Sequence, residues 1–339
     1  MYTTIAQALR ETLADEMRKD KNVFILGEDV GVFGGGYQIT KGLIDEFGPE
    51  RVRDTPISEI AIIGTAIGAA ITGMRPVAEI QFSDFLACAM DQIVNQAAKF
   101  SLMSGGQVNV PIVIRAPQGA TGRAAQHSQS LEAWFMHVPG IKVVIPSTPY
   151  DARGLLFSAM RDGNPVLFLE HKLLYGSASP GGKAKTVIDK MSQTMTPAPE
   201  DEYTIPFGKA DIKKYGEDIT VVATFYMVHK VLSLANELKK EGISLEVIDP
   251  RTLVPLDKDT IIESVHKTGK LLIVSEDHHT CGVGAEIAAI VAEEAFDYLD
   301  VPIKRVDSLD VPIPFSPRCE EYVLPSTDRI LRAIKDLKR

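Results

Sequence analysis

The sequence predicts an α/β protein made of two doubly wound domains, and three observations carry that expectation. Short apolar runs of strand length alternate with longer runs of helical period. The alternation breaks once, where residues 176–206 turn to Gly, Ser, Pro and Lys. A chain of 339 residues also exceeds a comfortable single core. The expected division is a first domain over 1–180, a linker over 181–206 and a second domain over 207–339.

Taken in order, Thr4 with Gln7 has the pattern of a capping box, and Ile5, Leu9, Leu13 and Met17 then recur every four residues, so a helix starts the chain. Residues 23–26 form a short apolar run stopped by Gly27, and similar runs at 77–80, 110–114, 143–145 and 166–169 read as buried parallel strands. Helical patterns lie between them at 59–72, 84–103 and 150–161. In the linker, the run Thr196-Pro-Ala-Pro-Glu carries neither signal. The alternation then resumes with strands at 219–223, 245–248 and 271–274 and helices at 228–240, 257–266 and 283–296. No fixed short period marks a solenoid or propeller.

Composition narrows the function. Hydrophobic residues make up 45% and charged residues 24%, the balance of a soluble globular protein, and no apolar run approaches a membrane span. Arg10, Glu11, Asp15, Glu16, Arg18, Lys19 and Asp20 interrupt the first twenty residues, unlike a signal peptide, so a cytoplasmic location is expected. Cys88, Cys281 and Cys319 are odd in number and far apart, which argues against a disulfide framework and a zinc site. A net charge of −9 argues against a nucleic-acid partner.

No Walker loop, G-x-G-x-x-G or G-x-S-x-G occurs, and Gly34-Gly35-Gly36 precedes no obvious phosphate-binding helix, so it reads as a flexible or closely packed turn. Three clusters place polar groups where α/β sheets build sites, at strand ends and helix starts. They are Gly27-Glu28-Asp29, Asp54-Thr55-Pro56-Ile57-Ser58-Glu59 and Ala125-Gln126-His127-Ser128-Gln129-Ser130. Ser58 is a cap residue type and Glu59 opens a helix, which alone would serve the helix dipole. Residues 60–73 carry no charge, however, and a helix of that kind should be buried on nearly every face. A carboxyl at its mouth would lie beside a dry interior, where it could hold or share a proton. Gly64, Ala66, Gly68, Ala69, Ala70 and Gly73 would let another backbone approach, either within the domain or from a second subunit. His127, in a polar loop, could donate, accept or be solvated. His278 and His279 are adjacent at a strand end and should point to opposite faces, against a shared metal.

At these clusters the sequence resembles the beta subunit of the thiamine-dependent first component of 2-oxo acid dehydrogenase complexes (pyruvate, branched-chain and acetoin), part of the transketolase-like superfamily. The resemblance runs from about residue 4 to 337 and is carried by Gly27-Glu28-Asp29-Val30, the 54–59 and 125–130 clusters, Glu79-Ile80-Gln81-Phe82, residues 139–146 and residues 248–253. It implies an N-terminal pyrimidine-binding thiamine-diphosphate fold and a C-terminal transketolase-like domain. It also implies a partner alpha subunit in a heterotetramer of two alpha and two beta subunits, with magnesium held mainly by alpha, and delivery to a lipoyl-bearing acyltransferase core. The Gly-Asp-Gly signature that binds the diphosphate in this family does not occur in the chain, consistent with that division.

By the same resemblance, Glu59 is the carboxyl at the aminopyrimidine ring nitrogen, Glu28 a second acid of a buried carboxylate network, and Gln81 and Phe85 line the pyrimidine pocket, Phe85 with an aromatic face. His127 matches a loop histidine that positions substrate or the lipoyl group. Ile112, Ala159, Met160, Asp162 and Asn164 match positions that bind potassium in some relatives. Cys88 stands where some bacterial relatives place a further acid, with Asp84 and Asp91 nearby. The loop 119–127 and the tail 311–317 look like acetoin enzymes, whereas 144–151 and 203–209 look like pyruvate or branched-chain enzymes. Two other readings are a self-sufficient transketolase-like enzyme and a non-catalytic scaffold that kept the fold.

Overall fold

The computed structural model describes residues 2–176, 196–197, 199 and 201–338, so residues 181–195, 198 and 200 of the expected linker lie outside the described residues. The chain divides into two compact units, one of Met1–Gln118 and Trp134–Phe207 and one of Gly119–Ala133 and Gly208–Arg339. The segment Gly119–Ala133, which the sequence reading kept within the first domain, packs with the second unit.

Unit 1 begins with a short strand β1 (Tyr2–Thr3) and helix α1 (Ile5–Lys19). Gln7 N donates to Thr4 Oγ1 at 3.2 Å, so Thr4 caps the helix as expected. The Gln7 side chain donates to Glu11 at 2.9 Å, one turn on. Next come β2 (Val23–Gly27), α2 (Leu43–Phe47), β3 (Val52–Asp54), α3 (Glu59–Ile71), β4 (Arg75–Glu79), α4 (Phe100–Met103), β5 (Val113–Gln118), α5 (Glu132–Met136), β6 (Lys142–Val144), α6 (Pro149–Arg161), β7 (Val166–His171) and β8 (Thr196–Pro197). The sheet of unit 1 runs β6-β7-β5-β4-β2-β3 with every pairing parallel. Strands β2, β4, β5 and β7 are almost wholly buried, which is why they read as continuous apolar runs rather than alternating ones. Thr148 caps α6 through Asp151 N at 3.1 Å, with Pro149 at the first helical position, where its missing N–H costs nothing.

The single helix expected over 84–103 is replaced by a 3₁₀ turn at Ser83–Ala89, a π-type turn at Gln92–Ala97 and the short α4. Leu86, Ala89, Ile93 and Ala97 still point inward, so the apolar spacing is that of a helix. The winding is altered near Ala98, whose N–H reaches back five residues to Ile93 O and whose carbonyl lies 2.0 Å from where a Cβ on Gly140 would stand. Such a close backbone approach leaves no mark on hydrophobic periodicity.

Unit 2 holds β9 (Asp211–Lys214), β10 (Ile219–Ala223), α7 (Tyr226–Leu238), β11 (Leu245–Asp249), β12 (Thr252–Val254), α8 (Lys258–Thr268), β13 (Leu271–His278), α9 (Val283–Glu294), β14 (Lys304–Ser308), α10 (Pro317–Val323) and α11 (Thr327–Lys338). Its sheet runs β14-β13-β10-β11-β9, parallel except for the antiparallel edge strand β9. Val221, Leu245 and Leu272 from the sheet meet Val231 and Leu234 of α7 and Ile330 and Ile334 of α11 in one core. Among the described residues no helix is long and apolar enough to cross a membrane.

Candidate active site

Strand register assembles the first two sequence clusters. Gly27 of β2 pairs with Asp54 of β3 on one side and Glu79 of β4 on the other, and Glu79 pairs with Arg115 of β5. Residues 28, 55 and 80 therefore leave the carboxyl ends of adjacent strands at one level, where open α/β sheets place ligands. Asp54 ties the two turns together, since Gly31 N donates to its Oδ1 at 2.6 Å. A Cβ on Gly31 would lie 2.5 Å from Asp54 Oδ2, so only glycine admits this contact.

Beneath these turns lies a fully buried charge cluster. Arg115 donates two parallel bonds to Glu170 at 2.6 and 2.7 Å and a third to Glu79 at 2.7 Å. Tyr175 adds its hydroxyl to Glu170 at 2.6 Å. Burial works against the Arg115 charge, but Glu170 and Glu79 outweigh it and hold the guanidinium protonated. Burial pushes the Glu79 carboxyl up despite Arg115, with Glu170 adding to the rise. Gln81 Nε2 bridges Glu79 Oε1 at 2.9 Å and the Glu28 carbonyl at 3.1 Å.

The Glu28 carboxyl stands above this base. Its Oε1 is buried and has no hydrogen-bond partner among the described residues. Burial raises its pKa first, and the neighbouring carboxylates of Glu59, Asp29 and Glu79 raise it further. Thr55 Oγ1, from the second cluster, is likewise buried without a partner. Unsatisfied buried acceptors are costly unless a ligand or water supplies the donor, which makes both atoms candidate ligand contacts. Asp29 holds a left-handed backbone with φ of 54°, a strain that stable folds keep chiefly at functional turns.

Gly34-Gly35-Gly36 closes over the same acids. A Cβ on Gly35 would meet Glu79 Oε1 at 3.0 Å, and one on Gly36 would meet Gln81 Oε1 at 2.6 Å. The closely packed form of the two turn readings is the one that forms. Tyr37 follows, its ring 4.8 Å from that of Tyr175 and 6.0 Å from that of Phe82, while Lys172 Nζ sits 4.3 Å from the Phe82 ring centre. Phe85 is half-buried in the next 3₁₀ turn, its N–H bonded to Phe82 O at 2.9 Å.

Two expectations for α3 need correction. Ser58 makes no side-chain cap bond, its φ of −159° and ψ of 84° lying outside the extended region from which Thr4 and Thr148 cap their helices. The charge-free helix is not buried on nearly every face. Ile62, Ile63, Ala66, Ile67 and Ala70 are buried, but Ile60 is 55% and Ile71 40% exposed, with Ala61, Gly64, Thr65 and Gly68 exposed between them. Ile57 just ahead of the helix is 81% exposed. An apolar stripe this continuous exceeds the scattered exposure usual for a lone chain.

The third cluster belongs to unit 2. His127 is half-buried, its N–H bonded to Ala124 O at 3.3 Å, and Ala124 takes a left-handed φ of 63°. Ser128 Oγ and Ser130 Oγ are buried without hydrogen-bond partners, the same signature as Glu28 and Thr55. His278 and His279 turn to different partners, Leu309 O and Asp307 Oδ2, each at 2.9 Å. Among the described residues no group of three or more His, Cys, Asp or Glu is arranged to hold a metal, and Cys88, Cys281 and Cys319 are free and exposed.

Comparison with known families matches residues 2–177 to the transketolase pyrimidine-binding domain and residues 208–330 to the transketolase C-terminal domain. Full-length relatives carry beta-subunit names. A pyruvate dehydrogenase E1 component subunit beta of Rickettsia bellii is 46% identical over 99% of this chain and 98% of its own length. The chain belongs to the family of dehydrogenase E1 beta subunits. A 2-oxoisovalerate dehydrogenase subunit beta of Bacillus subtilis is 46% identical over 97% of both chains. An acetoin:2,6-dichlorophenolindophenol oxidoreductase subunit beta of the same species is 44% identical over 98% of this chain and 96% of its own. A split-gene transketolase solved as an inactive beta4 tetramer shares the fold, with a TM-score of 0.78 at 21% identity over 99% of this chain and 98% of that one.

In unit 1, Gln81 donates to the Glu28 carbonyl, and the Glu59 carboxylate lies near enough to raise the Glu28 pKa. Ile112, Ala159, Met160, Asp162 and Asn164 gather at the start of β5 and the end of α6. The carbonyls of Ile112, Ala159, Met160 and Asp162 already accept bonds. Arg75 donates to Met160 O at 3.0 Å and Asp162 O at 3.3 Å, Val166 N to Ile112 O at 2.9 Å, and Asp162 N to Ala159 O at 3.3 Å. Both the backbone and side-chain nitrogens of Asn164 donate to Asp162 Oδ1 at 2.8 Å. Two of the set, the carbonyls of Met160 and Asp162, serve the Arg75 guanidinium, itself a cation.

Sequence reasoning missed Arg115, Glu170 and Tyr175. A signal existed, because a base and an acid end the apolar runs 110–114 and 166–169, and charges at the ends of neighbouring buried strands must pair.

Proposed function

We propose that this chain supplies the pyrimidine-binding half of a thiamine-diphosphate site that oxidises a small 2-oxo acid, pyruvate or a branched-chain one, or acetoin. An alpha subunit completes the site and holds the magnesium. The observation that carries the reading is the Glu28 carboxyl, with one buried, unpartnered oxygen and a raised pKa caused by burial and by Glu59. A ring bearing N–H donors fits such an edge. The beta-subunit names of full-length relatives favour this reading over a self-sufficient transketolase or a scaffold. The family matches at 2–177 and 208–330 support the division into parts at 1–180 and 207–339 joined by a linker at 181–206.

When bound, thiamine diphosphate supplies the carbanion chemistry by which an acyl unit passes from substrate to a lipoyl group on the acyltransferase core. The chain positions and protonates. Glu59 holds and returns a proton at the pyrimidine ring nitrogen para to the amino group. Glu28 keeps its own proton to higher pH and so limits repulsion beside Glu59. Gln81 fixes the pocket base through Glu79, Phe85 presents an aromatic face, and His127 positions substrate or the lipoyl group. The exposed stripe of α3 supports assembly into two alpha and two beta subunits. Potassium at the 112–164 set belongs to the same proposal and requires Arg75 to withdraw from Met160 O and Asp162 O.

The deciding experiment is Glu59→Gln in the complex reconstituted with the alpha subunit. If Glu59 only supports the helix start, the change costs no more than about 1 kcal/mol and turnover stays near wild type. If it moves the proton, hydrogen–deuterium exchange at the cofactor's reactive carbon slows by roughly 10²–10⁴-fold with assembly intact. Wild-type exchange and turnover would show the carboxyl to be structural. Sedimentation of the same complex as a one-to-one dimer would refute the heterotetramer.

A further inference from the structure

The loop that bears His127 is long, polar and rich in glycine, yet it is held at fixed points by a part of unit 2 far along the chain. Ala120 N donates to Glu276 Oε1 at 2.6 Å in a buried bond, and Gly122 N donates to both carboxylate oxygens of Glu320 at 2.9 and 3.1 Å. Charge-assisted bonds of this kind are about twice as strong as neutral ones. Between the two anchors, the Ala120 methyl packs into a small apolar cluster with Ile313 and Val323.

Each anchor is itself fixed. Glu276 lies near the end of β13, 6% exposed, with Ser308 Oγ of β14 donating to its carbonyl at 2.6 Å. Glu320 is on α10, whose Val323 carbonyl accepts from Leu309 N at 3.0 Å. The backbone turns at the second anchored residue, Gly122, φ 74°, and again at Ala124, φ 63°, whose carbonyl takes the His127 N–H. A Cβ on Gly122 would touch nothing, so its glycine serves the turn and not the packing.

We infer that Glu276 and Glu320 are positioning residues for His127: they clasp the first turn of its loop and so set where the imidazole stands during acyl transfer. This rests on the proposed role of His127. An unclasped loop would leave the imidazole free to sample many positions, and displacement by an ångström is enough to lose a large part of a positional rate advantage. Cofactor activation, which depends on Glu59 and Glu28 in unit 1, should not feel the clasp.

The test uses the reconstituted complex with Glu276→Gln, Glu320→Gln and the conservative Glu276→Asp, alongside His127→Ala. Three readouts are needed: amide hydrogen exchange of the peptide spanning 119–133, deuterium exchange at the cofactor's reactive carbon, and acyl transfer to free lipoamide. Either glutamine variant should speed loop exchange about tenfold or more, the scale of one lost charge-assisted bond. Acyl transfer should fall by a similar factor with kcat affected more than KM, while exchange at the cofactor carbon stays at wild type and Glu276→Asp recovers part of the loss. Glu320 is only half-buried, so its variant remains informative if Glu276→Gln fails to fold. Wild-type loop exchange and transfer in Glu320→Gln would overturn the inference, as would equal loss in all steps. If His127→Ala transfers normally while the glutamine variants lose both loop protection and transfer, the clasp stands and the role given to His127 falls.

Discussion

Both units gather buried carboxyls at the carboxyl ends of their parallel strands, but they complete them differently. In unit 1 Arg115 neutralises Glu79 and Glu170 from below, and the Glu28 carboxyl above them keeps one buried oxygen without a partner. In unit 2 Asp277 and Asp307 share the hydroxyl of Ser275, and Asp277 Oδ2 also accepts the N–H of Val283, the first residue of α9. His279 and Arg305 finish the outer side of Asp307. The helix start that in many α/β folds receives an anionic ligand is here filled by the protein's own carboxylate. One strand end keeps a buried carboxyl oxygen with no partner among the described residues, and the other is closed by the protein's own groups.

Three substitutions probe that contrast. The largest effect is expected from Arg115→Met, which leaves Glu79 and Glu170 in the interior without their cation and should cost about 3–5 kcal/mol, lowering the unfolding midpoint by roughly 10 °C. A wild-type midpoint would mean that the acids are neutral without Arg115. A paired pH series on Asp277→Asn and Glu28→Gln comes next. Burial pushes the Asp277 pKa up to about 6, against about 3.9 for an unfolded aspartate. A raised acid binds its proton more tightly in the folded state, so its stability is fully present below about pH 4 and is lost as pH rises through about 6. Asp277→Asn should therefore match wild type near pH 4 and exceed it above pH 7, by about 2 kcal/mol. Glu28→Gln should show the same sign with a smaller amplitude, because Glu28 is more exposed to solvent. Adding thiamine diphosphate and the alpha subunit should remove the Glu28→Gln difference and leave that of Asp277→Asn unchanged. Equal responses to cofactor in both variants would break the contrast between an open and a closed strand end.

The alternation of strands and helices was legible because buried parallel strands are continuous apolar runs, as at Val23–Gly27 and Ile219–Ala223. β3, β9 and β14 escaped notice since Arg53, Lys213, Lys214, Lys304 and Arg305 interrupt their apolar character at sheet edges. α11 was overlooked although Ile330, Ile334 and Leu337 carry its period openly. At the site, Glu28 and Glu59 stood out by sitting at strand ends and helix starts, whereas Arg115 and Glu170 are 55 residues apart and meet only through strand register. The same holds for the clasp, since nothing local in the sequence links residue 120 to 276 or 122 to 320.

Those two separations, 156 and 198 residues, also bear on how the chain is made. During synthesis the His127 loop leaves the ribosome well before the strand and helix that will grip it, and contacts so distant in sequence are among the slowest to form. These two bonds cannot form until residues 276 and 320 have been made. A truncation ending before α10 would remove Glu320 and leave the first turn of the loop with the Glu276 anchor alone.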